Sequence, residues 1–590
     1  MISIHQFHIP VMGLAYTIDS PVKVAQFGIA STISIIEDRL VELMRMHYYH
    51  ARGETYEAIT TRQPDYRARR ITDYLNLVNR IVNEQIEKIR NSDFQPGSEI
   101  CRYFEMMPSD HYLRKLYTQM LEDHTQDRET MQSYLRSKVI PGAIDVNVMT
   151  KVDKINHTNN GEVLIDGSDA VAALRGYAES NLTNSSIVFS AGMNPRLFNY
   201  LEKCKGFDAD RSGRFDKKII LKVSDFRSAL IQGKILAKKG LWVSEYRIES
   251  GLNCGGHAFA SDGNLLGPVL EEFRVRRKEL IDAVFNLYQP AAQARTGILF
   301  DESHPTAISV QGGIGTHAEA ELLLRHYQVQ STGWGTPFLL CPEATTVDDE
   351  TLSLLCNARE QDVVLSNSSP LGVPFSYLKG TSAERERLDR IATGSPGSPC
   401  TEKHLVSNTE FTTEPICTAS RQYQERKIAE LNSLNLPTAE YQKRYDDIVS
   451  KECLCVGLMN SAIAHYNLPA IKRLTAVTVC PGPNIVYFNR IVTLKEMTDH
   501  IYGRASVLDN NDRPHMFIKE LDLNVVYLRK RLAEVNMEPK FRKEVLNFID
   551  QLITGIRYYR SVSTLIIDPS FFIQLDDLEV KVQNMVRLLA

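Results

Sequence analysis

Short apolar runs typical of strands alternate with helical runs through about the first 340 residues of the chain. The strand-like runs begin at eight positions, which are Ile9, Ile29, Ala143, Ser186, Lys218, Leu241, Thr306 and Gln330. Such strand–helix units bury both faces of a parallel sheet, because the helices cover it. Eight units in series predict a (β/α)8 TIM barrel, of the α/β class, rather than an open sheet.

Two long segments depart from this alternation. Residues 38–139 interrupt the predicted barrel of residues 1–345, and their apolar side chains recur at near-helical spacing, which predicts a helical insertion. Residues 346–420 include Ser-, Pro- and Gly-rich runs, so we expect a loop-rich connection there. Helical patterns dominate residues 421–590 and predict an α-rich C-terminal extension.

Charge and composition narrow the classes of partner. The chain has 590 residues, with 68 Lys and Arg against 72 Asp and Glu, and this balance lacks the positive charge of a nucleic-acid binder. No run approaches the roughly 20 apolar residues of a membrane span. The first residues lack the basic and apolar regions of a secretory signal. We therefore expect a cytoplasmic protein that acts on a small molecule, and a homo-oligomer is possible.

Two glycine-rich turns lie at the ends of the last two predicted strands. One is QGGIGT, residues 311–316, and the other is GWGTPF, residues 333–338. Bare backbone N–H groups at a helix start can receive a phosphate, and barrels commonly bind phosphate after strands seven and eight. The alternative is that these glycines simply mark tight turns.

A histidine and a lysine follow other predicted strands. His257 closes the segment CGGH, residues 254–257, whose glycines would let a flat ligand approach the backbone. Histidine suits the removal of a proton from an acidic C–H, although a loop histidine bonded to a carbonyl is the structural alternative. Lys222 ends an apolar strand and is either a snorkelling side chain or a charge aimed at an anionic ligand.

Seven short motifs at strand ends occur in one order: PVMG at 10–13, VNV at 146–148, FSAGMNP at 189–195, Lys222, CGGH at 254–257, QGGI at 311–314 and GTPFL at 335–339. This succession resembles the nitronate monooxygenase family, also called 2-nitropropane dioxygenase-like. That family includes flavin-dependent enoyl-ACP reductases and relatives from polyunsaturated fatty acid synthesis. The resemblance covers residues 1–37 and 140–345.

The resemblance implies one non-covalent FMN across the barrel mouth. Met12 and Gly13 would lie by its ring system, Asn147 and Lys222 would bond the polar edge, and Gly255 and Gly256 would pass close to it. Further cofactor contacts would come from the two turns, at Gln311, Gly312, Gly313, Gly335 and Thr336. His257 matches the active-site histidine, which is the general base in the nitronate-oxidising members.

The implied function is that of an FMN-dependent oxidoreductase resembling nitronate monooxygenase, which oxidises a small substrate with an acidic C–H. The alternatives are a flavin-dependent reductase of enoyl thioesters that uses NAD(P)H, and a non-catalytic barrel subunit of a lipid or polyketide pathway. The chain departs from the family by its helical insertion, Cys254, a long excursion between His257 and Gly312, and the residues after the barrel. Substrate identity therefore cannot be carried over.

From residue 400 onward the chain has five cysteines, which are Cys400, Cys417, Cys453, Cys455 and Cys480. Four thiolates could bind an iron–sulfur cluster or zinc, and a cluster would make this region an electron-transfer module. However, Cys453 and Cys455 form C-x-C rather than the usual C-x-x-C, and the other gaps are long. A scattered set of buried thiols is the alternative.

Overall fold

The computed structural model of the chain describes residues 4–123, 127–148, 153–157, 160–190, 192–254, 263–509, 512–533, 539–566 and 568–589. Within them, eight parallel strands close into a barrel, in which each strand pairs with the next along the chain and β1 pairs with β8. The strands are β1 Phe7–Ile9, β2 Ala30–Ser34, β3 Ile144–Val148, β4 Ser185–Phe189, β5 Lys217–Val223, β6 Val243–Glu249, β7 Ala307–Gln311 and β8 Ser331–Gly333. The predicted (β/α)8 barrel is confirmed.

The helices surround and extend this barrel. In chain order, those of the described residues are α1 Ser20–Val24, α2 Asp38–Ala51, α3 Tyr66–Arg90, α4 Glu99–Glu105, α5 Tyr112–Glu122, α6 Asp127–Ser137, α7 Asp169–Glu179, α8 Pro195–Leu201, α9 Phe226–Ala237, α10 Leu266–Thr296, α11 His317–Arg325, α12 Asp349–Asn357, α13 Ser382–Ala392, α14 Arg421–Ser433, α15 Thr438–Val449, α16 Leu454–Gly457, α17 Asn460–His465, α18 Leu494–Ile501, α19 Met516–Ala533, α20 Pro539–Val562 and α21 Phe571–Leu589. None of these helices is long and apolar enough to cross a membrane.

The insertion and the C-terminal helices share the barrel's apolar core. Helix α3 of the insertion packs closely on α7 of the barrel, where a Cβ at Gly176 would lie 2.7 Å from the Ala68 carbonyl oxygen. Buried Val78 of α3, Ile9 of β1 and Phe517 of α19 belong to one continuous cluster. The C-terminal helices therefore bury apolar surface against the barrel.

The connection after the barrel contains more regular structure than its composition predicted. Strands β9 Val363–Ser366 and β10 Phe375–Leu378 form an antiparallel hairpin, and α13 follows. The Ser- and Pro-rich run of residues 367–374 connects the two strands of this hairpin. Turn composition therefore marked the loop correctly but concealed the two short strands beside it.

Candidate active site at the carboxyl end of the barrel

The interior of the barrel is unusually polar. Tyr246 of β6 points outward to α9, since a Cβ at Gly233 would lie 2.1 Å from its hydroxyl oxygen. Side chains alternate along a strand, so Glu245, Arg247 and Glu249 point inward. Their partners in the register on neighbouring strands share that face, and they include Lys222, Ser309 and Gln311. Barrel interiors are usually filled by branched apolar residues. These inward-facing polar side chains are therefore unusual for a barrel core.

At the mouth, three strand ends meet on one carboxylate. Glu249 Oε1 accepts hydrogen bonds from Lys222 Nζ at 3.1 Å, Asn253 Nδ2 at 2.7 Å and Gln311 Nε2 at 2.8 Å. The structure therefore brings the predicted residues Lys222 and Gln311 together. Sequence reasoning missed Glu249 and Asn253. The available signal was that Glu249 ends a strand of alternating charged and uncharged residues, two residues after the inward-facing Arg247.

Deeper in the barrel, a second charged group supports the first. Arg247 Nε donates to Glu245 Oε1 at 2.8 Å and its guanidinium lies 3.6 Å from Asp145. Burial acts to raise the pKa of Glu245, but the Arg247 guanidinium, with smaller contributions from His8 and from the Ser309 hydroxyl, lowers this pKa overall. Burial raises the pKa of Asp145, and Arg247 opposes that shift. The Arg247 guanidinium therefore pairs with two buried carboxyl groups, those of Glu245 and Asp145. We term this group, which lies below Glu249 in the barrel, the lower layer.

His8 completes the lower layer as a neutral side chain. Burial, with the nearby Arg247 charge, lowers the pKa of His8 to about 3. Its Nδ1 lies 2.9 Å from Ser331 Oγ. Glycine is required at position 333, since a Cβ there would lie 2.8 Å from His8 Nε2 and 2.6 Å from Gln311 Cβ. His8 therefore packs as an uncharged polar group and is not suited to proton transfer near neutral pH.

Several buried polar atoms of the barrel have no partner among the described residues, and two of them lie on neighbouring strand ends at the mouth. They are Asn147 Oδ1 at the end of β3 and Ser34 Oγ at the end of β2. The two residues are partners in the register, so both side chains face the barrel interior. A buried polar atom without a hydrogen bond costs free energy. This pair is therefore the strongest indication that a polar ligand group belongs at the mouth.

Met12 and Gly335 lie against each other after the carboxyl ends of β1 and β8. Met12 is fully buried, and a Cβ at Gly335 would lie 3.5 Å from its sulfur and 3.2 Å from Cys254 Cβ. Gly13 has φ +56°, a conformation that favours glycine. Burial raises the pKa of the Cys254 thiol, whose Sγ donates to the Cys480 carbonyl at 3.2 Å. Cys254 is therefore a packed, uncharged thiol rather than a nucleophile.

The two glycine-rich turns also have packing roles. Gly312 and Gly313 have φ of +103° and +81°, and Cβ atoms there would lie 3.0 Å from the Asn253 backbone and 2.6 Å from Leu252. At the other turn, Thr336 Oγ1 donates to the Pro481 carbonyl at 2.6 Å. Tight-turn packing alone therefore explains glycine at 312 and 313. Phosphate binding by these turns stays a prediction.

The C-terminal region covers the first of these turns through Arg513. Its three nitrogens donate to the Gly313 carbonyl at 2.7 Å, to Glu319 Oε1 at 2.7 Å and to Asn484 Oδ1 at 2.8 Å. Asn484 in turn donates to the carbonyls of Gly313 and Ile314. Sequence reasoning missed these residues, because contacts across 170 to 200 positions leave no local pattern.

A buried carboxylate of α19, Glu520, ties the two ends of the segment that follows β6. It accepts from Ser250 Oγ at 3.2 Å and from the Leu266 backbone N–H at 2.8 Å. The Tyr559 hydroxyl donates to it at 3.4 Å. The predicted residues Gly255, Gly256 and His257 fall in this segment but lie outside the described residues. Glu520 thus fixes the described ends of the segment that carries them.

Glu520 predicts a pH dependence of stability. Burial raises its pKa to about 7. A carboxyl whose folded pKa is raised contributes stability that is fully present below its unfolded pKa, about 4.3, and is lost as pH rises through 7. We expect Glu520→Gln, which keeps the shape without the charge, to gain stability relative to wild type as pH rises from 5 to 8. Urea unfolding at several pH values measures this, and a constant difference across that range would contradict the assignment.

The five C-terminal cysteines do not form a metal centre. Cys480 packs in one apolar cluster with Cys455, and its backbone carbonyl accepts a hydrogen bond from Cys254 Sγ. The other four approach one another, yet among the described residues no group of three or more Cys, His, Asp or Glu is arranged to hold a metal ion. The hypothesis of an iron–sulfur or zinc site is therefore not supported.

Comparisons with known proteins give distant likenesses. The chain matches no family model and no curated protein. Among solved structures it is similar to the enoyl reductase domain of MlnA from the macrolactin biosynthesis cluster of Bacillus amyloliquefaciens, with 15% identity, a TM-score of 0.33, and coverage of 72% of this chain and 89% of that one. It is also similar to FabK from Thermotoga maritima, with 14% identity, a TM-score of 0.30, and coverage of 68% and 83%.

Proposed function

We propose that the chain is an FMN-dependent oxidoreductase whose cofactor lies across the carboxyl end of the barrel. The observation that carries this proposal is the pair of buried, unpartnered oxygens of Asn147 and Ser34. The polar edge of a flavin ring presents an N–H donor beside carbonyl acceptors, and this is the chemistry that an amide oxygen and a hydroxyl can satisfy. The residues at this end of the site therefore fit the ring of FMN.

The other cofactor contacts follow the same arrangement. Lys222 and Gln311 are already held by Glu249 at the rim, so their positions are fixed before a ligand binds. Buried Met12 would lie against the ring face. The proposed set is Met12, Gly13, Asn147, Lys222, Gly255, Gly256, Gln311, Gly312, Gly313, Gly335 and Thr336. Thr336 would exchange its bond to Pro481 for one to the phosphate.

Within this class, the mouth suits reduction of an enoyl thioester better than oxidation of a nitronate. Lys222 already pairs with Glu249, and both side chains are largely buried. An anionic nitronate would compete with Glu249 for that ammonium group, whereas a neutral enoyl thioester would not. FMN, when bound, supplies hydride transfer between NAD(P)H and the substrate double bond. His257 stays the proposed residue for proton transfer.

Two assays separate these reactions. We expect crotonyl thioester to be reduced with NAD(P)H as electron donor under anaerobic conditions. We expect propyl nitronate to be turned over at least about a hundredfold more slowly in air, the range that a specific polar site can impose. Faster turnover of nitronate without NAD(P)H would instead establish the oxidase reaction.

Asn147→Leu tests the proposed flavin contact. Leucine has a similar volume, and the oxygen that it removes has no partner in the described structure, so we expect the FMN-free protein to keep or gain stability. We expect FMN to dissociate about tenfold more readily, because one hydrogen bond to the ring is lost. Flavin fluorescence titration and urea unfolding measure the two effects.

Ser186→Ala is the matched control, because Ser186 also faces inward but lies deeper, in β4. We expect it to leave the dissociation constant for FMN unchanged. A variant Asn147→Leu that loses stability and binds FMN normally would show that Asn147 has a structural role only.

A further inference from the structure

The C-terminal region holds one peptide of the first glycine-rich turn, the peptide between Gly313 and Ile314. The Gly313 carbonyl accepts hydrogen bonds from Arg513 Nη2 at 2.7 Å and from Asn484 Nδ2 at 3.2 Å. Asn484 Nδ2 also lies 3.2 Å from the Ile314 carbonyl. Arg513 Nε donates to Asn484 Oδ1 at 2.8 Å, and both side chains are buried. These bonds therefore fix the direction of the Gly313 carbonyl.

The N–H of the same peptide belongs to Ile314 and points the other way. No cis peptide bond occurs among the described residues, so the carbonyl and the N–H of this peptide are opposed. The Ile314 N–H has no hydrogen-bond partner among the described residues. A carbonyl that is bonded to a guanidinium polarises its peptide, which strengthens the N–H as a donor. Arg513 and Asn484 thus direct a free donor away from the C-terminal region.

The N–H groups that follow in the turn are already bonded to Glu319. Its Oε2 accepts from the N–H of Gly315 at 2.8 Å and from the N–H of Thr316 at 3.2 Å. The Glu319 carboxylate would also repel a phosphate at this turn. Arg513 Nη1 donates to Glu319 Oε1 at 2.7 Å and offsets that charge. A phosphate would therefore find its donors before Gly315, beside a carboxylate that Arg513 neutralises.

We infer that Arg513 and Asn484 are positioning residues for the phosphate of FMN, which they would not contact. They would act through the peptide that they hold, by directing its N–H and by offsetting the charge of Glu319. The inference rests on the proposed function, because it places the phosphate at the turn of residues 311–316. It gives the C-terminal extension a part in the cofactor site, beyond the barrel residues that the family resemblance covers.

A comparison of FMN with riboflavin tests the inference, because the two flavins differ only by the phosphate. The measurement is flavin fluorescence titration of the full-length protein after removal of any bound flavin. We expect wild type to bind FMN at least about tenfold more tightly than riboflavin. We expect Asn484→Leu to raise the Kd for FMN about tenfold, since the N–H is no longer directed at the phosphate. The Kd for riboflavin should stay within about twofold of wild type.

Arg513→Lys is the second variant. It keeps a positive charge beside Glu319, but one ammonium group cannot reproduce the three bonds of the planar guanidinium. We therefore expect the same selective loss of FMN affinity. Urea unfolding identifies which variants remain folded, so that either variant can carry the test.

Asn460→Leu is the matched control. Asn460 is also buried, and its Nδ2 also donates to two carbonyls, those of Leu474 and Ala476. Neither carbonyl belongs to a glycine-rich turn. We expect the Kd values of this variant for both flavins to equal those of wild type.

The ratio of the two Kd values separates the outcomes. Equal weakening of FMN and riboflavin in Asn484→Leu would overturn the inference, because a general loss of structure affects both flavins. Unchanged FMN affinity in Asn484→Leu and Arg513→Lys would overturn it too. Equal binding of the two flavins by wild type would overturn the inference but leave flavin binding intact. A wild type that binds neither flavin would overturn the proposed function itself.

Discussion

The Arg513→Met variant is expected to lose about 3 to 5 kcal/mol of the free energy of unfolding, because it leaves the Glu319 carboxylate buried without its cation. Arg513 and Glu319 are 9% and 2% exposed, and their ion-pair distance is 2.7 Å. Although burial acts to raise it, the pKa of Glu319 is lowered by the Arg513 guanidinium. The same guanidinium holds the Gly313 carbonyl of a predicted phosphate turn.

Urea unfolding measures this loss, and Arg560→Met is its control. Arg560 forms ion pairs with Asp576 and Glu579 on the surface between α20 and α21. Exposed pairs contribute about 1 kcal/mol or less, so we expect a small change there. Equal, small losses in both variants would show that the barrel turn does not depend on the C-terminal region.

His257→Ala is expected to leave FMN bound and to lower turnover by about 10² to 10⁴, the contribution of a positioned proton-transfer group. The expectation follows from the CGGH motif and the family resemblance, since His257 lies outside the described residues. It applies equally to removal of a proton from an acidic C–H and to delivery of one to a carbon beside a thioester carbonyl. Steady-state kinetics measure the turnover, and flavin absorbance measures the FMN that stays bound.

His326→Ala serves as the control for this variant. His326 follows the end of α11, at the opposite end of the barrel from the strand carboxyl ends. We expect its kcat/KM to equal that of wild type. Unchanged turnover in His257→Ala would remove that residue from the reaction, whereas loss of FMN would assign it to cofactor binding.

The barrel could be predicted from sequence because its strands carry a local, periodic signal. All eight predicted starts fall within two residues of the observed starts, as at Ala143 for β3 and Lys218 for β5. The extent of the first strand differs, since β1 ends at Ile9, where it was predicted to start. Pro10 has no N–H to donate to the ladder and therefore follows the strand instead of entering it.

The site could be predicted only where its residues lie at strand ends. Lys222 and Gln311 were selected on that basis, because the ends of neighbouring strands meet at one edge. The structure places both side chains on Glu249, and their role in cofactor binding stays a prediction. Glu520 and Arg513 could not be found, since they reach the site across 270 and 200 positions. Glu520 lies in a helix whose pattern reports only an apolar face, and Arg513 lies in the loop before that helix. Such long-range polar contacts leave no local sequence pattern and are visible only in the folded structure.

The central claim, that the mouth of this barrel binds FMN, is tested most directly by the visible spectrum of the freshly purified protein before and after acid release of any cofactor. The account predicts the two-band absorbance of a flavin and FMN in the acid supernatant, in a ratio to the chain approaching 1:1. A colourless protein that also takes up no added FMN would contradict it. The unpartnered oxygens of Asn147 and Ser34 would then require another ligand, and the barrel would be better explained as a non-catalytic subunit.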